Sequence, residues 1–258
     1  MRLMKRILSA AAVLALSASL LVGCSSGTAS SVPVSASSAA ESTVSSVEET
    51  ASSAVDENEA AAAQLLNDLT GSYQELWPVI LADEYKQTWL DDCTALVGED
   101  NAEAAFEKLS SMVTGDVYGE DAVKAYANGG GAYFCGFTNS LAILTFDGET
   151  STISGTDKDG NVLFSHTYHY IGMEPVRGLY EFQSDDADSD EFTYFFLAPD
   201  TSAETYHIEF RYGSDAEALS QYDTGEYAYW LASGISTDCD QTMIDNCIEL
   251  FCTENLAG

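Results

Sequence analysis

The run from Ala132 to Tyr212 constrains the fold more than any other part of the chain. It is dense in aromatic and β-branched residues and is interrupted by turn signals at Asp147-Gly148, Asp159-Gly160-Asn161, Gly172 and the acidic stretch Asp185 to Asp190. Strands at this spacing have no room for crossover helices between them, so they must pair antiparallel, as a barrel or a sandwich. The clearest strand is Thr205 to Tyr212. Its period of two puts Tyr206, Ile208, Phe210 and Tyr212 on one face and Thr205, His207, Glu209 and Arg211 on the other. His207 and Glu209 are thus same-face neighbours that can share a divalent ion. The competing reading is a polar face that meets water or pairs with the next strand. Gly129-Gly130-Gly131 marks the break before this region; it is no phosphate loop, since neither Lys-Ser nor Lys-Thr follows.

Helices are expected on both sides of the strands. Glu59 to Leu69 is rich in helix formers, with Leu65, Leu66 and Leu69 on one stripe. A second helical region runs from Trp77 towards Val97, with Pro78 in its first turn, and a third opens with Asp100 three residues before Glu103, the spacing of a capping box. A tail helix carries Met243, Ile244, Cys247, Ile248 and Phe251 on one face. The three helices ahead of the strands lack the basic polar face that an interfacial membrane helix needs.

The first 58 residues read differently. Arg2, Lys5 and Arg6 precede an apolar run from Ile7 to Val22 that is too short to span a bilayer, so 1–23 reads as a cleaved export signal. Leu21-Val22-Gly23-Cys24 resembles the bacterial lipobox, in which the cysteine thiol is acylated, making Cys24 the lipidation site and first residue of the mature protein. Residues 24–58 are Ser, Ala, Thr and Val with a few acidic residues and no aromatic, a disordered stalk of roughly 30 Å mean reach. The expected location is extracytoplasmic, with the membrane touched only through the lipid. Residues 59–258 form the folded domain.

Charge and motifs exclude several functions. With 9 Lys+Arg against 42 Asp+Glu, a net charge of -33, the chain cannot neutralise a phosphate backbone and is no nucleic-acid binder. There is no Gly-x-Ser-x-Gly elbow, no His-Glu-x-x-His helix and no spacing that assembles a triad from the three histidines, so the protein is not expected to be an enzyme. Asp186, Asp188 and Asp190 have the one-three-five spacing of a calcium loop, but Glu191 stands where that loop needs Gly and Leu197 where it needs Glu; the run reads as a solvated hairpin tip. Beyond Cys24 there are five cysteines, Cys93, Cys135, Cys239, Cys247 and Cys252, an odd number that cannot all pair within the chain.

Tyr168-His169-Tyr170-Ile171-Gly172, Gly178-Leu179-Tyr180-Glu181-Phe182, Phe192 to Phe196, Leu197-Ala198-Pro199 and Ala203 to Ile208, taken in this order, resemble segments of the ZinT family of exported zinc-binding proteins. Leu69 to Tyr73 with Trp77-Pro78 resembles the family's opening helix, and Asp215 to Gln221 with Tyr227, Tyr229 and Trp230 its closing region. The resemblance implies a calycin- or lipocalin-like antiparallel β-barrel, mainly β with flanking α, with helices before the strands and one after. It also implies a zinc site of histidines at the barrel mouth. Position by position, one family ligand falls on Phe195 and the His-aromatic-His motif on Thr205-Tyr206-His207, which leaves His207 as the retained ligand.

One histidine does not hold zinc, for which three protein ligands are the rule. A rebuilt site would draw on His207, Glu209 and His169. His166, three residues from His169 on the same strand, faces the other way. The expectation is a lipid-anchored protein that binds zinc or a related divalent ion for sequestration or hand-off to a metal importer component. The alternative is a barrel of the same kind that has lost its metal and binds a small ligand or an envelope protein.

Overall fold

The computed structural model describes residues 57–114, 133–199 and 207–256. The export signal, Cys24, nearly all of the stalk, the Gly129 to Gly131 break and the Thr205-Tyr206 end of the key strand lie outside them.

A helix over 57–68 (α1) buries Leu65, Leu66 and Leu69 on the expected stripe. The chain then forms a strand, β1 (Gly71–Glu75), where the resemblance of Leu69 to Tyr73 implied the family's opening helix. Five residues with only Tyr73 buried carry almost no periodic signal, and β1 exists because β2 and β8 flank it. The second helical region is three pieces, α2 (Leu76–Ile80), a 3-10 turn (Asp83–Tyr85) and α3 (Lys86–Val97). Ala82, extended at φ -59° and ψ 145°, interrupts what the apolar spacing had joined. Gly98, at φ 84°, ends α3 by donating its N–H to Thr94 O. The next helix, α4 (Glu99–Thr114), starts one residue before Asp100, so the capping box is not made; Glu99 and Asp100 instead put negative charge on its first turn.

Eight strands form a closed antiparallel barrel, each paired to the next and β1 to β8. The others are β2 (Ile143–Asp147), β3 (Thr152–Thr156), β4 (Val162–Met173), β5 (Tyr180–Ser184), β6 (Tyr194–Leu197), β7 (His207–Gly213) and β8 (Ala232–Ser236). Closure leaves no strand edge exposed, and with helices at both ends of the strand order the fold is calycin-like. Asp147-Gly148 and Asp159-Gly160-Asn161 make the expected turns. Gly172 does not: it lies inside β4 beside a register shift opposite β5, and the chain reverses at Glu174 to Gly178. Near the mouth, Gly155 is required by space, because a Cβ there would overlap Leu141 and Phe164.

Inward positions fill the lumen with rings. Phe195 stacks on Tyr212 at 5.4 Å between centroids, on Phe164 at 5.8 Å and on Phe210 at 6.4 Å, while Phe192 stacks on Phe164 at 3.9 Å. A second core lies outside the wall, where α2, α3, α4 and α6 (Gln241–Leu256) pack on Ile235 of β8. Its centre is the fully buried Trp89, whose indole N–H donates to Ile80 O at 2.7 Å and so fixes α3 against α2. Among the described residues, no helix is long and apolar enough to cross a membrane.

Candidate metal centre

The register of β7 decides which way each candidate points. Ile208, Phe210 and Tyr212 belong to the lumen core, and the odd positions His207, Glu209 and Arg211 face out through the wall. That outer face does not meet water. His207 and Glu209 are half-buried beneath α2 and α6, and Arg211 has no exposed surface at all.

Arg211 is placed by the short helix α5 (Ala216–Leu219) and the loop after it. Asp215 caps α5 by accepting from the N–H groups of Glu217 and Ala218. The carbonyls released beyond it receive the guanidinium, which donates to Leu219 O, Gln221 O and Tyr227 O and lies 4.4 Å from the centre of the Tyr222 ring. Burial pulls its pKa below the ordinary arginine value. Sequence alternation alone puts Arg211 on an open polar face; nothing local signals that 214–231 folds over it.

His207 and Glu209 line a small cavity of about 80 Å³ together with Leu76, Trp77 and Ile80 of α2 and Cys247, Leu250, Phe251 and Glu254 of α6. The α6 contribution follows from helical geometry, since 247, 250, 251 and 254 are i, i+3, i+4 and i+7 on one stripe. Imidazole, two carboxylates and a thiol therefore border one space. Burial pushes the Cys247 thiol up to about 12, with a further contribution from Cys239, so it is neutral at pH 7 and would have to give up its proton to a metal. Cys135, behind Glu209, is also held at about 12, first by burial and then by the Glu209 charge. The donor chemistry suits zinc or a similar borderline ion, yet among the described residues no three His, Cys, Asp or Glu side chains already converge in a geometry that holds a metal. Sequence reasoning does not find Glu254 and Cys247 as site residues, although the tail-helix face that carries Cys247 is visible.

His169 does not join this cavity. It faces out from β4, separated from β7 by β5 and β6, and its Nδ1 lies 2.7 Å from Asp185 Oδ1 on the surface. His166 faces the opposite way, as its spacing required. It stands in the barrel mouth, with Nδ1 2.7 Å from Asp186 Oδ2 and its ring stacked on Phe164. The acidic run to which Asp186 belongs is a hairpin tip between β5 and β6. Phe195, the other position that the family resemblance singles out, is inward within the ring stack, on the far side of the wall from His207.

A second concavity opens beside the mouth. It has a volume of about 620 Å³ and is lined by Phe134, Thr138, Asn139, Tyr227 and Trp230, with Glu191 and Glu226 at its rim. Tyr229 also lines it and holds a left-handed backbone at φ 55°, uncommon for an aromatic residue.

The sequence matches no family model and no curated protein. Among solved structures, the fold is similar to the Zn(II)-bound ZinT-like domain of Streptococcus pneumoniae AdcA, at 15% identity over 74% of this chain and 89% of that one, with a TM-score of 0.44. It is also similar to Zn(II)-bound AdcA from Streptococcus pneumoniae, at 14% identity over 71% of this chain, with a TM-score of 0.44; there the match spans 35% of the longer protein.

Proposed function

We propose that the protein is a divalent-cation binder, for zinc or a related ion, that acts without catalysis in sequestration or hand-off to uptake machinery. The observation that carries this reading is the juxtaposition of His207 and Glu209 on β7 with Cys247 and Glu254 on α6 around one small cavity. The two strand residues are the anchor of the site. A third ligand comes from α6 by side-chain rotation, Glu254 before Cys247 because a carboxylate needs no deprotonation at neutral pH. The location belongs to the same proposal: an exported chain, acylated at Cys24, that holds the barrel off a bacterial membrane on its Ser/Ala stalk. The strongly acidic composition supplies a background attraction for cations but no selectivity.

The test is a zinc titration of the full chain beside His207→Ala and Glu209→Gln, with bound metal measured after dialysis. The expected result is one site that weakens by at least about tenfold in each variant. Binding that is unchanged by His207→Ala would overturn the assignment.

A second reading is favoured by the groove at the mouth, whose aromatic floor and acidic rim have the form of a ligand or partner site. In that case zinc binds no more tightly than to any acidic surface, and substitutions at Tyr227 or Trp230, not at His207, alter the protein's interactions.

A further inference from the structure

Away from the cavity, α3 and α6 meet at a pair of thiols. Cys93 Sγ and Cys252 Sγ lie 3.9 Å apart, although 159 positions separate them in the chain, and neither residue has any exposed surface. Helical spacing explains the meeting. Cys93 follows Trp89 by one turn on the buried stripe of α3, and Cys252 follows Ile248 by one turn on that of α6, so packing these two stripes together brings the sulfurs into contact. Both sulfurs are sealed from solvent in the packed fold, so an external oxidant reaches them only while α6 docks or undocks.

We propose that Cys93 and Cys252 form a disulfide that fastens α6 to α3 when the chain folds in oxidising surroundings. The oxidant is an external disulfide such as oxidised glutathione. One cysteine thiolate attacks it and releases one glutathione thiol; the other cysteine attacks the resulting mixed disulfide and releases the second. The cysteine pair loses two electrons and two protons, and both are recovered in the two glutathione thiols. A chain that folds in reducing surroundings keeps the same pair as thiols.

The test needs neither metal nor a partner. The full chain is refolded in a reduced/oxidised glutathione buffer, alkylated, digested without reductant and mapped by mass spectrometry. The expected result is a linked peptide pair containing Cys93 and Cys252, lighter by two hydrogens than the separate peptides. The oxidised protein should melt about 5–15 °C above the reduced one. Cys93→Ala and Cys252→Ala should each abolish both the linked pair and the gap in melting temperature. Recovery of both cysteines as alkylated thiols, or linkage of either to Cys135, Cys239 or Cys247, overturns the proposal. A correctly linked pair with an unchanged melting temperature overturns the fastening role. The mapping uses the wild-type chain, so it decides the pairing even where a variant fails to fold.

Discussion

Arg211 is buried against Tyr222, guanidinium to ring centre 4.4 Å, two residues along the same outer face of β7 as Glu209. The contact joins the wall to the 214–231 segment, because the same guanidinium donates to the carbonyls of Leu219, Gln221 and Tyr227. The hydrogen bonds to Leu219 and Tyr227 are buried, so those two carbonyls lose their donor once the arginine is removed. Arg211→Met should cost about 2–4 kcal/mol of unfolding free energy by chemical denaturation, and Arg211→Lys less. Amide exchange should accelerate mainly between residues 214 and 231. A loss below about 1 kcal/mol would show that the segment holds itself.

Glu254 reaches the His207 and Glu209 cavity from α6. Glu254→Gln should weaken zinc binding by less than His207→Ala does, since it removes a charge and leaves a neutral oxygen donor. In the wild type, zinc at about a hundred times its dissociation constant should add about 2.7 kcal/mol to stability, read as a rise in melting temperature. The absence of any rise in melting temperature would argue against a site that spans strand and helix.

Phe195 and His207 lie on opposite sides of the barrel wall. Phe195→His should therefore fail to strengthen zinc binding even though it puts a histidine at the position where the family resemblance implies one. It should also destabilise the fold by about 2–4 kcal/mol, because it breaks a ring stack and buries imidazole nitrogens in the lumen. Tighter zinc binding by this variant, measured by competition with a chelating dye, would mean that the lumen can open to metal.

Asp92 on α3 has its pKa raised above the ordinary aspartate value, first by burial and then by Glu249, Asp245 and Asp91. Below the ordinary carboxylate range the group is protonated in both the folded and the unfolded chain and has no effect on stability. Between the ordinary and the raised value the folded state holds more protons, so stability falls as pH rises, and above the raised value the full penalty is present. Asp92→Asn removes that penalty. Its melting temperature should exceed that of the wild type at pH 7, and the gap should close below about pH 3.5.

The barrel was legible in the sequence because its middle strands carry long alternating patterns punctuated by turn residues. Phe164 and Tyr168 on β4, and Ile208, Phe210 and Tyr212 on β7, all face the lumen as their spacing requires. β1 and β8 were not legible. Each has five residues, and Ala232 to Ser236 is mostly small residues with Ile235 as its one large apolar side chain, so only their partners define them as strands. The candidate site was half legible. Period two paired His207 with Glu209, but nothing in a strand states what covers it, and α6 arrives from more than thirty residues further on with Cys247 and Glu254. His169 illustrates the opposite limit: residue type suggested a ligand, but its place in the strand order put it beside Asp185.

The ring-filled lumen has a kinetic consequence. A barrel that stores cargo inside must open its mouth loops to release it, whereas here the interior is occupied by Phe164, Phe195, Phe210 and Tyr212, and the candidate cavity is sandwiched between wall and helix. If the cavity holds an ion as proposed, its exchange would follow displacement of α6 from α3 and α2, on which it packs, a motion of the microsecond-to-millisecond kind that leaves the barrel wall unchanged. A disulfide from Cys252 to Cys93, as proposed, would act as a brake on that displacement and so link the oxidation state of one sulfur pair to how long an ion resides.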